Sequence, residues 1–194
     1  MFVEAGVMSD FPLRRSGTFI MHENDLYPLK TAHFNLCYSV RMANTYSQIY
    51  IQGVFAVEQR MSLIRKEWKE ELFKYIGGIF RNKKQKLIAI GGVEDHIHLL
   101  FGLKPSTAIS DLIRDVKSDS TEFINKRKFV RGSFYWQEGF GAFSYSRSQL
   151  DAVAKYVLNQ EKHHAKRTFR EEYTTLLDRF EVEYEDRYLF NWIE

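Results

Sequence analysis

The sequence predicts an α+β protein: an antiparallel sheet with helices packed on one face and further helices following it. Three patterns carry that expectation. Apolar and polar residues alternate from Tyr46 to Val57, and two short apolar runs span Leu87 to Leu103, the marks of strands. Apolar residues recur at three- and four-residue spacing over 58–80 and 107–126, the mark of amphipathic helices. The order of these segments is strand, helix, strand, strand, helix, strand, then helices. With 194 residues, 44% of them hydrophobic and 27% charged, the chain can bury a proper core in one domain.

Residues 1–41 show no sustained period of either kind and are expected to be a loosely ordered extension. Met42 is a candidate natural start, a point decided by the intact mass of the protein from its host. The domain proper is then 42–194. In its first strand Ile49, Ile51, Phe55 and Val57 alternate with Gln48, Tyr50 and Gln52. A helix follows from Glu58 to Phe80, with Ile64, Trp68, Leu72 and Ile76 inward, and Asn82-Lys83-Lys84 ends it. Leu87–Val93 and His96–Leu103 form a hairpin about Glu94-Asp95. A second helix runs from Thr107 to Lys126, with Leu112, Ile113 and Val116 inward. Phe134–Trp136 and Ala142–Tyr145 read as extended, separated by Gly139 and Gly141. Ser148-x-x-Asp151 has the form of a capping box for a helix reaching Lys166, and Thr168-x-x-Glu171 opens another. The aromatic tail Tyr184–Trp192 is expected to pack on the body. This order is the ferredoxin-like split βαβ arrangement, in which the first and third strands are central neighbours. One sheet face meets the helices. The other, carrying Gln48, Gln52, His96 and His98, is expected to lie open.

The chemistry concentrates in Glu94-Asp95-His96-Ile97-His98-Leu99-Leu100-Phe101. Side chains alternate along a strand, so His96 and His98 share a face, roughly 6–7 Å apart at their roots, while Ile97, Leu99 and Phe101 anchor the other face. Two imidazoles so placed can converge on one metal ion. Alone, such a pair is more often structural. Downstream, Leu150, Val153, Ala154 and Val157 set the buried stripe of the helix 148–166. Tyr156 falls on its flank, Gln160 lies one turn later, and His163 and His164 stand beside them as further potential ligands.

These residues together resemble the single-tyrosine HUH transposases of small bacterial insertion sequences, the insertion-sequence 200-like family. The resemblance rests on Asp95-His-Ile-His-Leu-Leu100, on Tyr156-Val-Leu-Asn-Gln160 and on Trp136-Gln-Glu-Gly-Phe-Gly-Ala-Phe-Ser-Tyr-Ser146, and it covers 42–194. It implies that His96, His98 and Gln160 hold a divalent metal, Mg²⁺ or Mn²⁺, and that Tyr156 is the nucleophile. It implies cleavage and rejoining of single-stranded DNA at element ends through a 5′-phosphotyrosine, without ATP. It also implies a homodimer in which the tyrosine helix of one subunit completes the histidine site of the other, in a bacterial cytoplasm. A second tyrosine four residues on is replaced by Gln160, which favours the transposase branch over replication initiators.

Other features bound the reading. A lone cysteine, Cys37, rules out an internal disulfide and fits a reducing cytoplasm. No apolar run approaches the ~18–20 residues of a membrane span, and no phosphate-binding G-x-x-x-x-G-K-[ST] loop is present. The net charge of +3 is modest, but the acidic tail leaves the middle of the chain more basic. Lys83, Lys84, Arg114, Lys117, Lys126, Arg127, Lys128, Arg131 and Arg147 are candidates for tracking phosphates of single-stranded or hairpin DNA. Tyr50, Tyr135, Trp136 and Tyr145 are candidates for stacking unpaired bases. A histidine-triad hydrolase would need a third histidine where Leu100 stands. A non-catalytic single-stranded nucleic-acid-binding module on the same fold and an inactive relic of the transposase are the remaining rivals.

Overall fold

The computed structural model describes residues 46–165, 167–186 and 189–190, so the expectations for 1–41 and for Tyr188 and Trp192 lie outside the described residues. The sheet has four strands: β1 (Tyr50–Ala56), β2 (Lys86–Gly92), β3 (His96–Gly102) and β4 (Gly141–Tyr145). Their order is β2-β3-β1-β4, and every pairing is antiparallel. This is the predicted ferredoxin-like topology, with the first and third strands paired at the centre. Two long helices, α1 (Lys66–Asn82) and α2 (Ile109–Arg127), complete the repeat. They cover the face that presents Ile51, Phe55, Ile97, Leu99 and Phe101, joined by Leu72, Ile76, Phe80, Leu112, Ile113 and Val116 in one fully buried cluster.

The second face is not open. Val54, Ala56 and Leu100 alternate with the residues above and are just as apolar, so this side also requires cover. Three further helices, α3 (Leu150–Leu158), α4 (Gln160–His164) and α5 (Phe169–Arg179), contribute Leu150, Val153, Val157, Phe169, Tyr173, Leu176 and Leu177 to a second core. The exposed face expected for His96, His98 and Gln52 is therefore corrected: all three are fully buried. Gln48 precedes β1 and is exposed, apart from that group.

Other departures have local causes. The first helix begins at Lys66 instead of Glu58, because Gln59 and Arg60 adopt positive φ (53° and 55°) and end a short 3-10 turn. Phe134–Trp136 forms only an isolated bridge between Val57 and Trp136. The helix predicted over 148–166 breaks at Asn159 (φ −102°, ψ 25°), whose side-chain amide donates to the Lys155 carbonyl at 2.7 Å. Its capping box is formed by Ser146 and Gln149, not Ser148 and Asp151, whereas the Thr168–Glu171 box caps α5 as expected. In the tail, Phe190 is buried against Phe169 and Tyr173 while Tyr184 is exposed. Among the described residues no helix is long and apolar enough to cross a membrane.

One contact fixes where α3 sits. A Cβ added to Gly91 on β2 would lie 1.8 Å from the Val157 carbonyl oxygen, so only glycine allows this approach of helix to strand. Gly91→Ala is expected to cost roughly 3 kcal/mol, lowering the melting temperature by about 6–12 °C. A thermal melt of the variant checks this.

Candidate active site

Both imidazoles hang from β3 opposite small or branched partners, His96 facing Ala56 and His98 facing Val54 across the ladder to β1. Their rings stand 5.1 Å apart at 70°. Each is oriented from behind through Nδ1. Asp95 Oδ1 lies 2.6 Å from His96 Nδ1, and the Asp95 carboxylate is itself gripped by Arg60. Burial pushes the Asp95 carboxyl up, but the hydrogen bond and charge of His96, then those of Arg60, hold it down at about 2. A carboxylate on Nδ1 secures a proton there, so Nε2 is the atom that could serve a cation.

Behind His98 stands Gln52, with its amide 3.0 Å from Nδ1, and Tyr145 Oη donates to the same amide at 2.8 Å. Two amide orientations satisfy this relay. In the structure Gln52 Nε2 faces Nδ1 and Oε1 accepts from Tyr145; the flipped amide, with Oε1 accepting from Nδ1–H and Nε2 donating to the Tyr145 oxygen, is the orientation that would make His98 Nε2 available to a cation. Burial holds His98 below its ordinary pKa against the pull of Glu172, which favours the neutral ring.

Facing these imidazoles is a carboxylate that was not singled out from the sequence. Glu172, on the first turns of α5, is 3% exposed and lies 3.7 Å from His96 Nε2, 3.6 Å from His98 Nε2, 3.8 Å from His163 Nε2 and 2.7 Å from His164 Nε2. Burial alone would raise its pKa. The close imidazoles of His164, His96 and His98 instead hold it far below the usual carboxylate range. A signal for it existed: Phe169, Glu172, Tyr173 and Leu176 form the inward stripe of α5, and a glutamate in such a stripe needs partners.

Tyr156 and Gln160 reach the same point within one chain. The Tyr156 ring lies 5.8 Å from that of His98, and its hydroxyl donates to Glu172 Oε1. Gln160 Nε2 donates to the same oxygen at 3.2 Å. The break at Asn159 turns Gln160 fully inward, where a continuous helix would leave it on the flank. Burial raises the Tyr156 pKa, and the Glu172 charge raises it further, so the phenol is held protonated. Two cavities flank the cluster. A groove of about 1020 Å³ is lined by Arg60, Lys66, Lys69, His164, Arg167 and Arg170, and a cavity of about 420 Å³ is lined by Tyr156, His163 and Glu172.

The other candidates fall elsewhere. Lys83, Lys84, Arg127, Lys128 and Arg131 are exposed but belong to the α1–α2 layer, behind the sheet from the histidines. Of these, Lys83 pairs with Asp115 and Arg127 with Glu71. Arg147 is exposed at the start of the tyrosine segment, on the histidine side. Lys117 donates to the carbonyls of Gln137 and Gly139. Trp136 and Tyr145 are core residues, bonded to Ser120 and Gln52, so the base-stacking expectation for them is corrected. Tyr135 remains exposed.

The fold is a ferredoxin-like sheet with paired histidines on its third strand and a tyrosine on a later helix, all meeting in one buried cluster. The family described as Transposase IS200 like matches residues 45–160, more than half of the chain. The chain belongs to this family of transposases. A crystal structure of a candidate transposase from Deinococcus radiodurans R1 shares the fold, with a TM-score of 0.50 at 19% identity, covering 61% of this chain and 95% of its own. A REP-associated tyrosine transposase bound to a REP hairpin is similar over 59% of this chain and 68% of its own, at 15% identity and a TM-score of 0.46. No curated protein matches the chain.

Proposed function

We propose that the protein cleaves and rejoins single-stranded DNA at the ends of its element, with Tyr156 as nucleophile. The observation that carries this is the meeting of Tyr156 Oη, His96, His98 and Gln160 around one buried point. Attack of the phenol oxygen on the scissile phosphorus forms a 5′-phosphotyrosine and releases a 3′-hydroxyl. A second 3′-hydroxyl reverses the step onto a new strand, so the linkage conserves the bond and no ATP is needed.

The donor set fits a divalent cation. Among the described residues, seven buried side-chain atoms have no hydrogen-bond partner, and five are in this cluster: His96 Nε2, His98 Nε2, Gln160 Oε1, His164 Nε2 and Glu172 Oε2. His96 and His98, with Gln160, would hold Mg²⁺ or Mn²⁺, and such an ion supplies charge neutralisation at the phosphate. Asp95 and Gln52 fix the two imidazoles. The protonated phenol and its bond to Glu172 describe a resting site, in which the nucleophile must leave Glu172 before it can attack. The adjoining groove has mixed charge: Arg60 and Lys69 are paired with Asp95 and Glu161, and Lys66 and Arg167 are the side chains proposed to meet phosphates of a single strand or hairpin. We also place the protein in the cytoplasm. A homodimer is part of the proposal as well, although Tyr156 already meets the histidines of its own chain.

Incubating the full chain with labelled single-stranded DNA bearing a hairpin, with Mg²⁺ or Mn²⁺, tests this: the expected product is a covalent adduct that survives denaturation. A second reading, a non-catalytic single-strand binder, draws on the complete burial of His96 and His98. A mobility shift with no adduct would decide for it.

A further inference from the structure

The metal reading above names His96, His98 and Gln160, yet the geometry points to a different sphere: His96, His98, His164 and Glu172, a three-nitrogen, one-carboxylate site. One donor atom from each of these four residues lies within 4.8 Å of every other. Four donors about 2.0–2.2 Å from a tetrahedral ion stand roughly 3.3–3.6 Å apart. The contact of Glu172 Oε2 with His96 Nε2, at 3.7 Å, is already close to that spacing, while His98 Nε2 stands 3.6 Å from the other oxygen, Oε1. His164 Nε2 and Glu172 Oε2 form an ion-pair contact at 2.7 Å, closer than two ligands of one tetrahedral ion stand, so this pair opens on binding. The widest separations need to contract by about an ångström on binding.

The two oxygens of Glu172 divide the work. Oε1 accepts from the Tyr156 hydroxyl and from Gln160 Nε2, whereas Oε2 is buried and unpartnered, as are the Nε2 atoms of His96, His98 and His164. Oε2 is thus the ligand atom, and Oε1 ties the nucleophile to the same carboxylate. Gln160 holds Glu172 Oε1 through its amide nitrogen, and its own Oε1, also buried and unpartnered, stands beside the four. The set also differs from its neighbours in kind: Glu171 and Glu161, close in sequence, are occupied by the α5 cap and by Lys69. Imidazole-rich donors favour a borderline transition ion such as Zn²⁺, Co²⁺ or Mn²⁺ over Mg²⁺, which demands oxygen and keeps its waters. Four protein donors close the sphere, so a phosphate oxygen enters either as a fifth ligand or in place of Glu172.

This inference rests on the metal reading, and the experiment separates the two. The full-length protein is titrated with Co²⁺ alone, followed by its visible absorption and by proton NMR of the hyperfine-shifted imidazole N–H resonances, with Mg²⁺ as competitor. Expected are an intense tetrahedral spectrum, three shifted N–H resonances, weak competition by Mg²⁺, and affinity lowered about tenfold or more in His164→Ala and Glu172→Gln. Gln160→Ala and the control Glu171→Gln should lose less. Two shifted resonances, with unchanged affinity in His164→Ala and Glu172→Gln, would overturn the four-ligand sphere and leave the histidine pair standing. If the wild type binds neither Co²⁺, Mn²⁺ nor Mg²⁺, both readings fail together. The resonance count uses only the wild type, so it decides the matter even if a variant does not fold.

Discussion

Tyr156→Phe is expected to abolish the covalent protein–DNA adduct, lowering strand cleavage by at least about 10³-fold. The substitution removes one oxygen and keeps the ring that stands edge-on to His98 and His163. Its side effects should be small, because Glu172 Oε1 keeps the Gln160 amide as a partner. Loss of one hydrogen bond to a carboxylate costs about 1–3 kcal/mol, a shift of a few degrees in melting temperature. Binding of the single strand should be nearly unchanged. The measurement is a denaturing gel of labelled DNA beside a mobility-shift assay on the same samples. An adduct that persists in the variant would assign the nucleophile elsewhere.

The double substitution His96→Ala, His98→Ala should remove cation-dependent cleavage and, separately, the response of stability to metal. A ligand bound only by the folded state at 100 times its dissociation constant stabilises by about 2.7 kcal/mol. Melts of the wild type with and without Mn²⁺ should differ accordingly, and those of the variant should coincide. The variant should also be weaker on its own account, by at least about 3 kcal/mol, because two fully buried rings are cut back to methyl groups and leave a cavity. A variant that still melts higher with Mn²⁺ would show that the cation binds elsewhere.

The sheet and its order were legible because both faces of β1 and β3 follow a strict two-residue alternation and α1 and α2 carry clean inward stripes. Legible too were His96 and His98 as a pair, and Tyr156 and Gln160 as neighbours one turn apart. The alternation said which residues share a face but not whether that face is covered. Val54, Ala56 and Leu100 were the clue, being as apolar as the residues opposite them. Glu172 is hard to single out in the sequence because it lies among the acidic residues of the last stretch, where charge reads as solvent exposure. Only its place between Phe169 and Tyr173 on the inner stripe of α5 marks it as different. The break at Asn159 turns on a single side-chain bond competing with the backbone, which helical periodicity does not register. Helix α1 starts later than its apolar spacing predicts because Gln59 and Arg60 adopt positive φ, a backbone feature that hydrophobic periodicity does not register.

The approach of α3 to β2 at Gly91 has a bearing on how such a protein can change over generations. The place of the Tyr156 helix is set by a close approach of its main chain to Gly91, so exchanges among the outward residues of that helix, such as Lys155 or Leu158, should drift freely without shifting Tyr156. The intolerance is concentrated instead in a strand residue with no side chain at all. A lineage that abandons mobility should therefore lose its chemistry through the imidazoles or the phenol long before it accepts a change at that glycine.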